Sequence, residues 1–183
     1  MRRSITIGAL VLGIVVAAAV WWSLRPQPRL VVAQDLPADV QELVDVTWVS
    51  FLDATPAHHD CLGSVGLVLV SRVEGGDASY DPAERLIRID IPTSPGVFPQ
   101  LLAHELAHHL VARCDPDGAL VARVAELEGL DETGSDWADD PVEHVADAIV
   151  EIVVGGRTIH LDEIELSPET LETVADWCSG RGV

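Results

Sequence analysis

Apolar residues change their spacing several times along this chain, and each change marks an element. From Ile5 to Trp22, "ITIGALVLGIVVAAAVWW" is uninterrupted by charge, and at about 1.5 Å per residue it nearly matches a hydrocarbon layer of roughly 30 Å. After "SLRPQPRL", helical spacing sets in, and Val40, Leu43, Val44, Val46, Val49 and Leu52 predict a first helix. "VGLVLVSRV" is a short β-branched run bounded by glycines, which predicts a strand. "RLIRIDIP" alternates Leu86, Arg88 and Asp90 against Ile87, Ile89 and Ile91, as a second strand with one wet face does. The turn-rich "EGGDASYDPAE" between them makes an antiparallel pair the expected arrangement.

Helical spacing returns in "QLLAHELAHHLVARC", with Pro99 suited to a first turn and "CDPDG" to a stop. "ALVARVAELEGL" predicts another helix, and the polar loop "DETGSDW" follows it. "DPVEHVADAIVEIVVGG" carries its own boundaries: Asp140 to cap, Pro141 at the first position, Gly155 and Gly156 at the end. Ser167 caps a last helix in "SPETLETVADWC". The whole is an α+β pattern, a small antiparallel sheet beside several helices.

Residues 1 to 24 are expected to form an N-terminal membrane segment, 25 to 36 a short stiff linker with two prolines, and 37 to 183 one folded domain. Arg2 and Arg3 before the apolar run place the N-terminus in the cytoplasm and the rest outside it. The competing reading is a signal peptide cleaved near Ala17 to Ala19, which leaves the domain secreted. All 30 acidic residues lie from Asp35 onward, against 7 of the 11 basic residues, a balance of 7 − 30, or −23, over that stretch. Such a field excludes nucleic acid and anionic lipid surfaces as partners. Three cysteines, Cys61, Cys114 and Cys178, allow one disulfide and one free thiol. All three pairings are open from sequence, with Cys61 to Cys114 the expected one.

The chemistry lies in "HELAH". His104 and His108 are four apart, about 40° from eclipsed on a helix, so both imidazoles can face one ion. Glu105 sits one step round, within reach of a water that zinc would acidify toward pKa about 7, and can carry its proton to a leaving amine. Val97, Leu101 and Val111 share the histidine face, while Leu102, Leu106 and Leu110 form a second stripe. A helix apolar on two sides belongs in a core, where histidines must be paired or ligated.

A catalytic zinc takes a third protein ligand, and three residues compete for that place. Cys114 lies six residues after His108, but Val111 stands where a helix-breaking glycine is needed to swing such a ligand round. Glu143 lies on the next well-marked helix, with Asp147 one turn further on the same face, able to hold a ligand histidine's second nitrogen. His144, beside Glu143, ligates instead if that helix is rotated. Glu143, Asp147 and Glu151 also fit an ordinary solvated stripe. His58, Tyr80 and His160 are available to stabilise an oxyanion, and His109 is expected to point outward or to support the site.

"HELAHH" followed by "PVEHVADAI" resembles the gluzincin branch of zinc metallopeptidases, in which an H-E-x-x-H helix is completed by the glutamate of an E-x-x-x-D pattern on the next. The likeness covers about a fifth of the chain and is closer to small single-domain relatives than to thermolysin-like ones. It implies a zincin-like fold, His104, His108 and Glu143 as zinc ligands, Glu105 as general base and Asp147 as partner of a ligand histidine. It also implies a peptide or protein substrate lying antiparallel along an edge strand, with "RLIRIDIP" expected in that role. The resulting expectation is a membrane-anchored, zinc-dependent peptidase acting outside the cytoplasm. The alternatives are a catalytically silent, zinc-stabilised binding or assembly module of the cell envelope, and a domain whose histidines merely pack.

Overall fold

A computed structural model describes residues 27–74, 76–91, 93–130, 137–159 and 164–182. The apolar run from Ile5 to Trp22, most of the loop "DETGSDW", and His160 lie outside the described residues. Among the described residues no helix is long and apolar enough to cross a membrane.

The described residues form an α+β fold with a four-stranded sheet. Strand β1 (Arg29–Val32) falls in the stretch expected to be a linker and pairs in parallel with β2 (Ser64–Val70), Leu30 beside Val65. The connection between them carries helix α1 (Ala38–Ala54), as a parallel pair requires a crossover too long for a tight turn. The period-two pattern holds in the next strands: β2 buries Val65, Leu67 and Leu69, and β4 (Leu86–Asp90) buries Ile87 and Ile89.

Their pairing differs from the expectation. β2 and β4 run parallel, with Leu67 beside Ile87, and the antiparallel partner of β4 is β3 (Ala78–Asp81), with Tyr80 beside Ile87. The sheet is therefore mixed, in the order β1-β2-β4-β3. Residues 71–85 are long enough to hold a return strand, so the chain skips one position and folds back through a hairpin. Asp81 sets that hairpin, its Oδ1 accepting from the backbone N–H of Ala83 (2.9 Å) and Glu84 (3.0 Å), while Arg85 adopts φ 53°. One correction follows directly. β4, expected at the edge, is interior, and β1 and β3 are the edge strands.

Helix α2 (His59–Leu62) is a single turn. Helix α3 (Phe98–Cys114) contacts β3 and β4 and packs most extensively against α5 (Pro141–Val154). Leu102, Leu106 and Leu110 on α3 are fully buried, each worth about 1.5–3 kcal/mol of apolar burial. Helices α4 (Ala119–Glu128) and α6 (Pro168–Ser179) close the far side of α5. The boundary residues act as their chemistry dictates: Asp140 accepts from Val142 N–H, Ser167 accepts from Thr170 N–H, and Gly155 ends α5 in the left-handed region. A disulfide joins Cys61 on α2 to Cys114 at the end of α3, Cα to Cα 5.5 Å, and Cys178 is a buried free thiol.

Candidate metal centre

Two pairs of residues, each four apart on its own helix, meet where α3 packs on α5. His104 Nε2 lies 3.0 Å from Glu143 Oε2, and His108 Nε2 lies 3.5 Å from Glu143 Oε1. The two imidazole Nε2 atoms face each other at 3.0 Å. Behind them His104 Nδ1–H donates to Asp147 Oδ1 at 3.0 Å, which leaves Nε2 as the nitrogen that carries the lone pair toward the cluster. The Asp147 carboxylate is fully buried, and its second oxygen accepts from Arg157 Nη1 at 2.7 Å.

These distances can be set against what a metal requires. Zinc bound at 2.0–2.1 Å in a tetrahedron separates its donor atoms by about 3.4 Å. The 3.0 Å between the two imidazole nitrogens and the 3.0 Å from His104 Nε2 to Glu143 Oε2 are slightly shorter than that figure, while His108 Nε2 lies 3.5 Å from the other Glu143 oxygen. Two imidazoles and a carboxylate, with the remaining side of the group open to a cleft, are donor types that can hold a metal ion such as zinc and leave a position for water.

Charge points the same way. With protein groups alone, burial opposes a proton on His104, yet its hydrogen bonds to Asp147 and Glu143 and the field of Glu105 raise its pKa to about 9. Burial likewise works against a charge on Glu143, but hydrogen bonds from His104 and His108 hold its carboxyl far below the ordinary range. Carboxylates arranged this way demand a cation, which a proton or a metal can supply.

Glu105 is nearly buried, at 5% exposure, and lines the same cleft as the three donors. The cleft has a volume of about 1090 Å³. Its rim on one side is the edge strand, through Ala78, Ser79 and Tyr80; the other walls are apolar, through Leu101, Val111, Trp137, Val142 and Ile159.

The remaining candidates fall elsewhere. His144 turns its Nε2 to the carbonyl of Ala138 at 2.8 Å, away from the donors, so α5 presents Glu143 and Asp147 instead. Cys114 is held in the disulfide, α3 continuing through Val111 as a helix. His109, expected to point outward or to support the site, is fully buried: its Nε2–H donates to Leu62 O (3.0 Å) and its Nδ1 accepts from the Tyr80 hydroxyl (2.8 Å). Burial lowers its pKa to about 4, so it stays neutral and ties β3 to α3. Tyr80 is thus engaged with His109 at the cleft wall, while His58 stacks on Trp177 (3.8 Å) and does not line the cleft.

Three residues that carry the site were not singled out in the sequence. Arg157 holds Asp147; Gln100 pins residues 158 and 159 to α3; Trp137 forms part of the cleft wall. Only Arg157 left a signal, as the single basic residue between Arg123 and Arg181 in an acidic chain. Compared with family models, with curated proteins and with solved structures, the chain matches none.

Proposed function

We propose that this chain is a zinc-dependent peptidase that works outside the cytoplasm, held to the membrane by its N-terminal apolar segment, with a zincin-like arrangement of the metal helix and sheet. The observation that carries this reading is the convergence of His104, His108 and Glu143 at donor separations near those of a zinc tetrahedron, with Glu105 on the same cleft. Zinc, when bound, acidifies water and polarises a carbonyl. Glu105 accepts the proton from the attacking water and returns it to the departing amine, the work of a general acid–base. His104 is kept in the ligating tautomer by Asp147.

Substrate binding follows from the edge strand. Among the described residues β3 has a hydrogen-bonded neighbour on one side only, and its other edge offers backbone groups to a peptide running beside it. That edge borders the cleft. The apolar walls from Leu101, Val111, Trp137, Val142 and Ile159 favour uncharged side chains near the scissile bond.

Glu105→Gln separates hydrolysis from a purely structural metal. The variant keeps zinc and loses cleavage of a quenched-fluorescent peptide library by about 100-fold or more, the contribution of a positioned base. A Glu105→Gln chain that retains zinc together with every effect of the wild type makes this a silent, zinc-stabilised binding module instead.

A further inference from the structure

We infer that Arg157 is a positioning residue that couples metal loading of the His104, His108 and Glu143 centre to the order of the cleft wall at residues 157–159; the inference rests on the zinc reading above. A buried carboxylate needs partners for both oxygens, since an unpaired charge away from water is costly. Asp147 meets that demand from two directions: Oδ1 with His104 Nδ1 at 3.0 Å, Oδ2 with Arg157 Nη1 at 2.7 Å. Arg157 is itself largely buried, and its Nη2 donates to the carbonyl of Ile164 at 2.5 Å. One guanidinium fork therefore bridges the carboxylate that orients a ligand and the backbone of the segment after α5.

The residues next to Arg157 are fixed to the other ligand-bearing helix. Gln100, one turn before His104 on α3, accepts on Oε1 from the backbone N–H of Thr158 (2.7 Å) and Ile159 (3.1 Å). Its Nε2 donates to Thr158 Oγ1 (2.8 Å) and Gly96 O (3.2 Å). Residues 157–159 are thus stitched to α5 through Arg157 and to α3 through Gln100, and Ile159 lines the cleft. Locking the His104 ring on a metal fixes Asp147, Asp147 fixes the fork, and the fork holds the wall. Coupling of this kind is reciprocal, so an ordered wall also strengthens the hold on the metal.

The test measures two quantities on the full chain: zinc affinity, by competition with a chromophoric chelator, and hydrogen exchange of the Thr158 and Ile159 amides with and without zinc. Wild type slows exchange at both amides when zinc is added. Arg157→Met weakens zinc binding about 10- to 100-fold, the usual effect of losing a partner behind a ligand, and uncouples exchange from zinc. Arg157→Lys, which keeps the charge but not the fork, falls between wild type and the methionine variant in both measurements, and it carries the test alone if Arg157→Met fails to fold. If the folded Arg157 variants bind zinc within about twofold of wild type, against the loss expected for such a partner, and keep the zinc-dependent slowing, the inference is overturned while the metal reading stands. A wild type that takes no zinc overturns both.

Discussion

Removing the disulfide tests the packing that holds the metal helix in place. Cys61 and Cys114 are 53 residues apart in sequence, and the bridge fastens α2 to the last turn of α3, next to the stack of His58 on Trp177. Closing a loop of that length in the unfolded chain removes conformational entropy worth about 4 kcal/mol. Against a total stability of about 5–15 kcal/mol, this is a large share. For a domain of this size each kcal/mol moves the midpoint by about 2–4 °C, so the double variant Cys61→Ala, Cys114→Ala melts roughly 8–16 °C lower. Urea unfolding in the presence of a chelator gives the cleanest reading, because a bound metal would add its own linkage to the apparent stability. Thiol counting checks the pairing: burial pushes the Cys178 thiol up to about 12, so the native chain reacts with no reagent and the unfolded chain reacts at one thiol. A stability loss under about 1 kcal/mol, far below the chain-entropy figure, or three reactive thiols on unfolding, refutes the reasoning.

Three further outcomes concern the site and the cleft wall. Because the proton on His104 must leave before zinc can bind, and its pKa with protein groups alone is about 9, apparent zinc affinity rises about tenfold per pH unit between pH 6.5 and 8.5; a flat profile contradicts this. In the chelator-treated chain the sign is opposite. A pKa raised on folding, as at His104, gives stability that is complete below 6.5 and is lost as pH rises through 9, while the depressed His109 imidazole gives stability complete above 6.5 and lost as pH falls toward 4, and the depressed Glu143 carboxyl adds a further loss in acid, so urea midpoints peak near pH 6.5. Tyr80→Phe leaves the buried Nδ1 of His109 without its donor and costs about 1–3 kcal/mol in the same assay. Peptide cleavage per folded chain is unchanged by that substitution if the hydroxyl serves His109 rather than the substrate.

Local rules carried the sequence a long way. Asp140, Pro141, Gly155 and Ser167 mark helix ends by backbone chemistry that needs no tertiary context, and they act where expected. The i, i+4 spacing of His104 with His108, and of Glu143 with Asp147, decides which side chains share a face, and α3 and α5 turn those faces toward each other. Strand pairing was not legible in the same way. "ASYD" is too short and polar to announce a strand; it becomes one because β4 has a free edge to offer and Asp81 turns the chain back. Nor does periodicity distinguish a parallel from an antiparallel neighbour, so the parallel pairing of β2 with β4 was not legible, and the edge position expected for β4 came from the resemblance alone. The outward alternative for His109 fails because helical facing alone does not show that β3 and the Leu62 carbonyl close over it. Arg157 lies outside every regular element, and its role depends on a carboxylate ten residues away.

Metal content is the most direct test of the central claim. The full chain, stripped with chelator and reloaded with zinc, is expected to hold one ion per molecule. His104→Ala and Glu143→Ala lose it, while His144→Ala, whose imidazole faces the Ala138 carbonyl, keeps it. Undiminished zinc in Glu143→Ala, or none in the wild type, contradicts the account.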